Sequence, residues 1–223
     1  AFGIPLQFDK VYTEGISKIT AQDVKYAEDL GFRIKHLGIA RRAEHGIELR
    51  VHPTLIPEEQ LIANVNGVKN AVLVQAHAVG PTLYYGAGAG AGPTASAVVA
   101  DIVDIVRDIS YTEDGAGTIP QLAFEALTDL PILKREEMTT GYYLRVDAED
   151  QTGVLADITT ILSRAGISID AIMQQSRLKD LIPIVILTDP VVESKMDDAI
   201  AKIQALPAIH GEIVRIRLES LDS

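Results

Sequence analysis

The sequence predicts an α+β protein in two parts, on three observations. Residues 142–218 alternate strand and helix patterns in the order β-α-β-β-α-β. Residues 32–85 carry paired strand signals separated by turn residues, and the glycine-rich run Gly86 to Gly92 opens one helical pattern between the two parts. Strand signals clustered first, then a mixed module, are the pattern of an α+β architecture and not of alternating parallel βαβ units.

The first element is a helix. Thr20-Ala21-Gln22-Asp23 fits a capping box, in which the hydroxyl and the carboxylate satisfy orphan N–H groups at a helix start. The helix runs to Leu30 and stops at Gly31, the residue suited to a left-handed C-terminal position. Ile34, Leu37 and Ile39, then Ile47, Leu49 and Val51, give partly alternating patterns on either side of Ala43-Glu44-His45-Gly46, which predicts an antiparallel hairpin over 32–42 and 47–54. Residues 71–78 and 81–85 form a second strand pair turning at Val79-Gly80. After the glycines, Ala95, Val98, Val99, Ile102, Val106 and Ile109 recur at helical spacing, opposite Asp101, Asp104 and Asp108. Residues 111–140, with Asp114-Gly115-Ala116-Gly117 and the charge cluster Lys134 to Glu137, read as a linker holding a short helix at 122–127.

The last part is the most regular. A strand at 142–148 leads through the turn Glu149-Asp150-Gln151-Thr152-Gly153 into a helix striped by Val154, Leu155, Ile158, Ile161, Leu162 and Ala165 and closed by Gly166. Strands at 167–175 and 181–188 follow, then a helix marked by Met196, Ala199, Ile200, Ile203 and Leu206, then a strand at 209–218. That order is the ferredoxin-like split arrangement. Two helices would cover one sheet face and leave the other available to a second copy.

Composition narrows the function. Lys and Arg number 20 against 31 Asp and Glu, a net charge of −11, which opposes nucleic-acid and anionic-membrane binding. There is no cysteine, so thiolate catalysis and thiolate-held metals are excluded. No apolar run approaches the length of a membrane span. The five histidines, His36, His45, His52, His77 and His210, have no metal-ligand spacing, so no metal is expected. Ala1-Phe2-Gly3-Ile4-Pro5 carries no signal-peptide pattern and reads as the middle of a longer chain.

Two places carry candidate chemistry. Gly86-x-Gly88-x-x-Ala91 satisfies G-x-G-x-x-G/A between a strand and a helix, where backbone N–H groups approach an anion closely. Against a primary dinucleotide fingerprint stand the antiparallel strands before it and the lack of a clear strand with a ribose-binding acid after it. The alternatives are a tight crossing that only glycine permits, or a loop touching a cofactor held mainly by another domain. The second place is the start of the helix after Gly153, whose positive dipole end suits a ligand carboxylate; capping by Thr152 is the plain alternative. Glu14 reads as a surface-loop acid before it reads as a site carboxylate, and Asp23 as a cap before a catalyst.

Several motifs together resemble a known family. Val11-Tyr12-Thr13-Glu14-Gly15-Ile16, Val51-His52-Pro53-Thr54-Leu55-Ile56-Pro57, and Gly86-Ala87-Gly88-Ala89-Gly90 with Pro93-Thr94-Ala95-Ser96 resemble the C-terminal half of bacterial monofunctional homoserine dehydrogenase. Asp150-Gln151-Thr152-Gly153-Val154-Leu155-Ala156-Asp157-Ile158 is similar to the opening of an ACT domain, an amino-acid-sensing module. The resemblance implies a substrate/dimerisation domain at 1–110, whose helix at 91–109 returns to a Rossmann domain outside this chain, then the linker at 111–140 and an ACT domain at 141–223. It implies a cytoplasmic NADP- or NAD-dependent oxidoreductase interconverting aspartate 4-semialdehyde and homoserine, in the biosynthesis of threonine, methionine and isoleucine. It also implies a homodimer or homotetramer. The family's catalytic lysine and acidic residues precede Ala1, so no catalytic residue is expected here, and Lys10, Lys18 and Lys25 are not assigned that role. Gly90, with Gly88, matches the cofactor-touching position. Asp150, Thr152, Gly153, Val154 and Asp170 are the effector-site candidates, with threonine the first candidate effector. Some relatives have an active-site histidine in His-Pro-x-Ala-x-x-x-Gly; Gln60-Leu61-Ile62-Ala63-Asn64-Val65-Asn66-Gly67 stands there instead. The rival reading is a non-catalytic amino-acid-binding regulator.

Overall fold

The computed structural model describes residues 2–5, 7–111, 130–174 and 181–221. They belong to two compact units, one of Ala1–Pro5 with Gln60–Asp129 and one of Leu6–Glu59 with Leu130–Ser223. The second holds β1 (Tyr12–Thr13), α1 (Ala21–Asp29), β2 (Phe32–Ala43) and β3 (Gly46–Pro57), then β6 (Thr139–Glu149), α3 (Val154–Arg164), β7 (Ile169–Gln174), β8 (Leu181–Val192), α4 (Glu193–Gln204) and β9 (Ile209–Leu218). The first holds β4 (Lys69–Ala76), β5 (Gly80–Ala87) and α2 (Ala91–Tyr111).

In the larger unit the strands form one seven-stranded sheet in the order β1-β3-β9-β6-β8-β7, with β2 on the other edge of β3. The capping box predicted for α1 is present: the Thr20 hydroxyl accepts from Asp23 N–H, and Asp23 Oδ2 accepts from Thr20 N–H at 2.9 Å. β2 and β3 make the predicted antiparallel hairpin, in register from Phe32↔Pro57 to Ala43↔Gly46. Gly46 is required there because a Cβ would lie 2.4 Å from the Pro131 carbonyl oxygen. That close approach lets Ile47 N–H donate to Pro131 O at 2.8 Å, which ties the strand to the chain entering β6.

The β-α-β-β-α-β reading is present as β6-α3-β7-β8-α4-β9. β6 pairs antiparallel with both β8 and β9, and β7 with β8. Tyr142, Leu144, Val146, Ile184 and Ile186 face Ile158 and Leu162 of α3 and Met196, Ala199 and Ile203 of α4, all buried. β6 begins before Tyr142 because Thr139 and Thr140 pair with Val192 and Val191 across a bulge, which also carries β8 past Thr188. α4 begins at Glu193, whose N–H donates to Met138 O at 2.8 Å.

Two sequence expectations change here. The sheet does not end at the ferredoxin-like module: β9 pairs in parallel with β3 through Thr54↔Arg217 and Leu55↔Leu218. Nor is the second sheet face open to another copy of the chain. Tyr143, Val185, Leu187 and Ile216 on that face pack against Tyr26 and Ala27 of α1 and Leu55 of β3. The physical reason is that an apolar sheet face must be buried, and the amphipathic α1 reaches it within the same chain.

In the smaller unit β4 and β5 form an antiparallel ribbon from Lys69↔Ala87 to Ala76↔Gly80; β4 lies two residues earlier than its sequence signal, β5 is longer than its own, and the turn is at His77–Val79. α2 carries its predicted apolar stripe, with Val98, Val99, Ile102, Val106 and Ile109 all more than half exposed. The proposed helix at 122–127 lies outside the described residues, as does Gln175.

Candidate functional site

The glycine turn joins β5 to α2. Gly90 has φ +125°, a conformation L side chains rarely adopt, and its carbonyl accepts from Thr94 N–H at 3.1 Å. Gly88 lies against the Asn70 side chain, and its N–H donates to Val68 O at 2.9 Å. In the first turn Ala91 and Gly92 N–H have no intrahelical acceptor by helix geometry, and Pro93 has no N–H. At Gly90 the turn therefore offers a close backbone approach at a positive helix end, whereas the face of Gly88 is filled by Asn70. β5 is antiparallel to its neighbour, and no strand after α2 pairs with it among the described residues. The βαβ frame of a primary dinucleotide fold is accordingly not built around this turn.

The second candidate is the start of α3. Gly153 is the N-cap at φ +97°, with no side-chain cap bond, so Thr152 does not cap the helix. Asp150, Thr152 and Gly153 are exposed, while Val154 is buried beneath them. A Cβ on Gly153 would meet nothing within 4 Å, so the space over the turn is open. Beside it Glu149 accepts from Gln151 Nε2 at 2.5 Å and lies 2.7 Å from His210 Nε2. Asp170 is placed elsewhere. Ile169 and Tyr142 both pair with Thr188, so β7 starts level with the start of β6. α3 leaves the other end of β6 and runs back over 11 residues, about 16 Å at helical rise. Within one chain Asp170 thus stands at the far end of α3 from Gly153. Strand register decides this, and it is invisible in linear spacing.

Sequence reading missed three buried arginine clusters. Arg217, 1% exposed, donates from Nε to Glu193 Oε2 at 2.9 Å, from Nη1 to Glu14 Oε2 at 2.7 Å and from Nη2 to the Tyr12 hydroxyl at 3.2 Å. Glu193 is fully buried and also accepts from Arg135 at 2.9 Å and from the Tyr142 hydroxyl at 2.9 Å. The Tyr12 ring lies under Arg217 and Arg135, 4.8 and 5.8 Å from its centroid. Burial opposes the charge on Glu14 and Glu193, but the bonds from Tyr12 and Arg217 to the first, and from Arg217 to the second, outweigh it and hold both below the usual carboxylate range. Burial, then Glu193, pushes the Tyr142 phenol up. Glu14 is therefore a half-buried partner of Arg217 and not a loose loop acid.

On the opposite sheet face Arg145 Nε donates to Asp23 Oδ1 at 2.7 Å, and the Tyr143 hydroxyl donates to the same oxygen at 3.1 Å. Burial disfavours the Asp23 carboxylate, yet bonds from Arg145 and Thr20 keep its pKa low. Asp23 is both a cap and a buried ion-pair partner. The third cluster joins Arg50 Nη2 to Glu219 Oε1 at 2.5 Å and Arg41 Nη2 to Glu219 Oε2 at 2.5 Å. His52 lies beside it, Nδ1 2.9 Å from Pro53 O and Nε2 3.4 Å from Arg50. Burial lowers its pKa to about 4, the adjacent arginines adding to the effect, so His52 is neutral at pH 7 and assigned Nδ1–H. The signal available in sequence was an arginine inside an apolar strand pattern: Arg145 between Leu144 and Val146, and Arg217 between Ile216 and Leu218. No group of three or more metal-ligating side chains occurs among the described residues.

Residues 1–103 match the homoserine dehydrogenase family, and residues 142–208 match the ACT domain. The two segments belong to those families. A homoserine dehydrogenase of Pseudomonas aeruginosa is 58% identical over 226 residues, covering 100% of this chain and 52% of the relative. That of Neisseria gonorrhoeae is 52% identical, covering 99% of this chain and 51% of the relative. The crystal structure of a homoserine dehydrogenase from Thiobacillus denitrificans superposes with a TM-score of 0.90 at 58% identity, over 99% of this chain and 50% of that one. The chain spans about half the length of the curated homoserine dehydrogenases it matches. The homoserine dehydrogenase segment thus contributes β1, β2 and β3 to the same sheet as the ACT strands, and α1 to one face of it. Among the described residues no helix is long and apolar enough to cross a membrane.

Proposed function

We propose that this chain is the C-terminal part of an NAD(P)-dependent homoserine dehydrogenase that interconverts aspartate 4-semialdehyde and homoserine, with an ACT module sensing a small amino acid. The observation that carries the reading is the match over the whole chain, at 58% identity, to a homoserine dehydrogenase of twice its length. A match that runs through both segments in one relative favours this over a free-standing regulator.

The nicotinamide cofactor supplies or accepts the hydride in that chemistry. The glycine turn fits a part in holding it, because Gly90 has no side chain to block the approach and already has positive φ, while Gly88 makes room for Asn70 and shapes the turn. Its identity as NADP or NAD is set by ribose-binding groups that we place outside residues 1–223, with the main cofactor fold and the proton-handling lysine. The exposed apolar stripe of α2 then packs on that fold. We assign 1–110 to the substrate/dimerisation domain, 111–140 to the linker and 141–223 to the ACT domain, in a cytoplasmic homodimer or homotetramer.

For the effector we assign threonine, an end product of this route, to the Asp150–Val154 turn, its carboxylate at the α3 N-terminus. Asp150 lies beside the turn and suits the ammonium; Asp170 would reach it only from a second copy. The test compares the intact protein with residues 1–223 alone, following NADPH oxidation in the presence of aspartate 4-semialdehyde. The intact protein turns over and the fragment does not. Turnover by a mass-verified fragment overturns the division of labour, and an inactive intact protein overturns the assignment.

A further inference from the structure

Sequence divides this chain after the α2 helix, but the sheet does not divide with it. Three links cross from residues 7–59 to the strands of the ACT module. Glu14 and Tyr12 hold Arg217 on the α3/α4 face. Asp23 holds Arg145 on the α1 face. At the strand ends Glu219 N–H donates to Leu55 O at 3.0 Å, and the Glu219 side chain holds Arg41 and Arg50. The ACT strands are thus tied to residues 7–59 on both sheet faces and along the backbone.

We infer that the Arg217 cluster is a transmission joint, through which ligand binding on the ACT module moves the β1 segment at Tyr12–Glu14. This rests on the amino-acid-binding reading of the ACT module. β1 is two residues long, held to β3 at Tyr12↔Arg50 and Thr13↔Val51 and by Glu14 N–H on Val51 O at 2.8 Å. The side chains of Tyr12 in β1 and of Glu14 just after it add to that hold, and both close on Arg217. Arg217 in turn holds Glu193, the first residue of α4, and α4 shares its buried core with α3, whose first turn is the candidate ligand turn. The path runs from α3 to α4 and from Glu193 to Arg217 through buried contacts, and from Arg217 to Tyr12 and Glu14 through half-buried ones. Two sites joined by such an element are coupled when its arrangement differs between ligand states.

The experiment is hydrogen exchange on the intact protein with threonine, isoleucine, methionine or lysine added singly at millimolar concentration. In the wild type the effective amino acid slows exchange at 153–157 and also changes it at 12–14, by roughly fivefold or more. In Glu14→Gln the change at 153–157 persists and that at 12–14 is lost. Tyr12→Phe keeps the ring beside the arginines, loses the hydroxyl bonds, and reduces the change at 12–14; it decides alone if Glu14→Gln does not fold. A wild-type change confined to 153–157 overturns the joint and leaves the ligand reading standing. Equal transmission in both variants also overturns the joint. No change anywhere with any of the four amino acids overturns the joint and the ligand reading together.

Discussion

Replacing Arg217 with Met removes the cation at the centre of the largest buried cluster while keeping an unbranched apolar stem. Glu193 then loses its shortest partner but keeps Arg135 Nη1 at 2.9 Å and the Tyr142 hydroxyl at 2.9 Å. Glu14 keeps only the Tyr12 hydroxyl at 2.7 Å. Breaking a buried pair from one side costs about 3–5 kcal/mol, and the partners left to Glu193 place this case near about 3 kcal/mol. At a urea dependence of about 2–3 kcal/mol/M, the midpoint of unfolding falls by about 1 M. The sign with pH follows from the carboxylates. Both have folded-state pKa values below the ordinary 4.5, so their stabilisation is full above that value and is lost as pH falls through the lowered values. The gap between wild type and Arg217→Met therefore narrows in acid. Urea titrations at neutral pH and well below pH 4.5 read both effects. Lys18→Ala serves as the control, since the Lys18–Glu212 pair is exposed and its loss leaves the midpoint where it was. A midpoint unmoved in Arg217→Met, or a gap that does not narrow in acid, refutes the reasoning.

Gly90→Val in the intact protein strains a position at φ +125°, at a cost of about 1–3 kcal/mol. It should raise the KM for the nicotinamide cofactor and lower kcat far more than it lowers the thermal transition; normal kinetics in a destabilised protein would make the glycine run purely structural. Gly153→Asp adds a negative charge at open space over the α3 N-terminus. Calorimetry on the intact protein should show threonine binding weakened at least tenfold, about 1.4 kcal/mol, with uninhibited activity retained. His52 has its pKa lowered from 6.5 to about 4, so the folded state excludes its proton. Its stabilisation is full above pH 6.5 and is lost as pH falls toward 4, and His52→Gln should show a flatter melting temperature across that window than the wild type.

The α1 capping box, the β2–β3 hairpin around Glu44-His45 and the β6-α3-β7-β8-α4-β9 order were all legible in sequence, because each rests on periodicity or on turn chemistry acting over a few residues. Gly153 as the start of α3 was legible for the same reason, whereas Gly90, also at positive φ, was picked out through the family resemblance and not by the spacing of the glycine run. What local pattern does not contain is partnership over distance. Asp23 and Arg145 are 122 residues apart and Glu14 and Arg217 are 203 apart, and no spacing rule pairs them. Asp170 seemed to belong with Gly153 until strand register put the length of α3 between them. The tertiary structure alone decided that α1 covers the sheet face expected to be open, and that β9 finishes on β3. Both follow from one physical requirement: an apolar face and an unpaired strand edge must be satisfied, and the nearest surface able to satisfy them lies in another segment of the same chain.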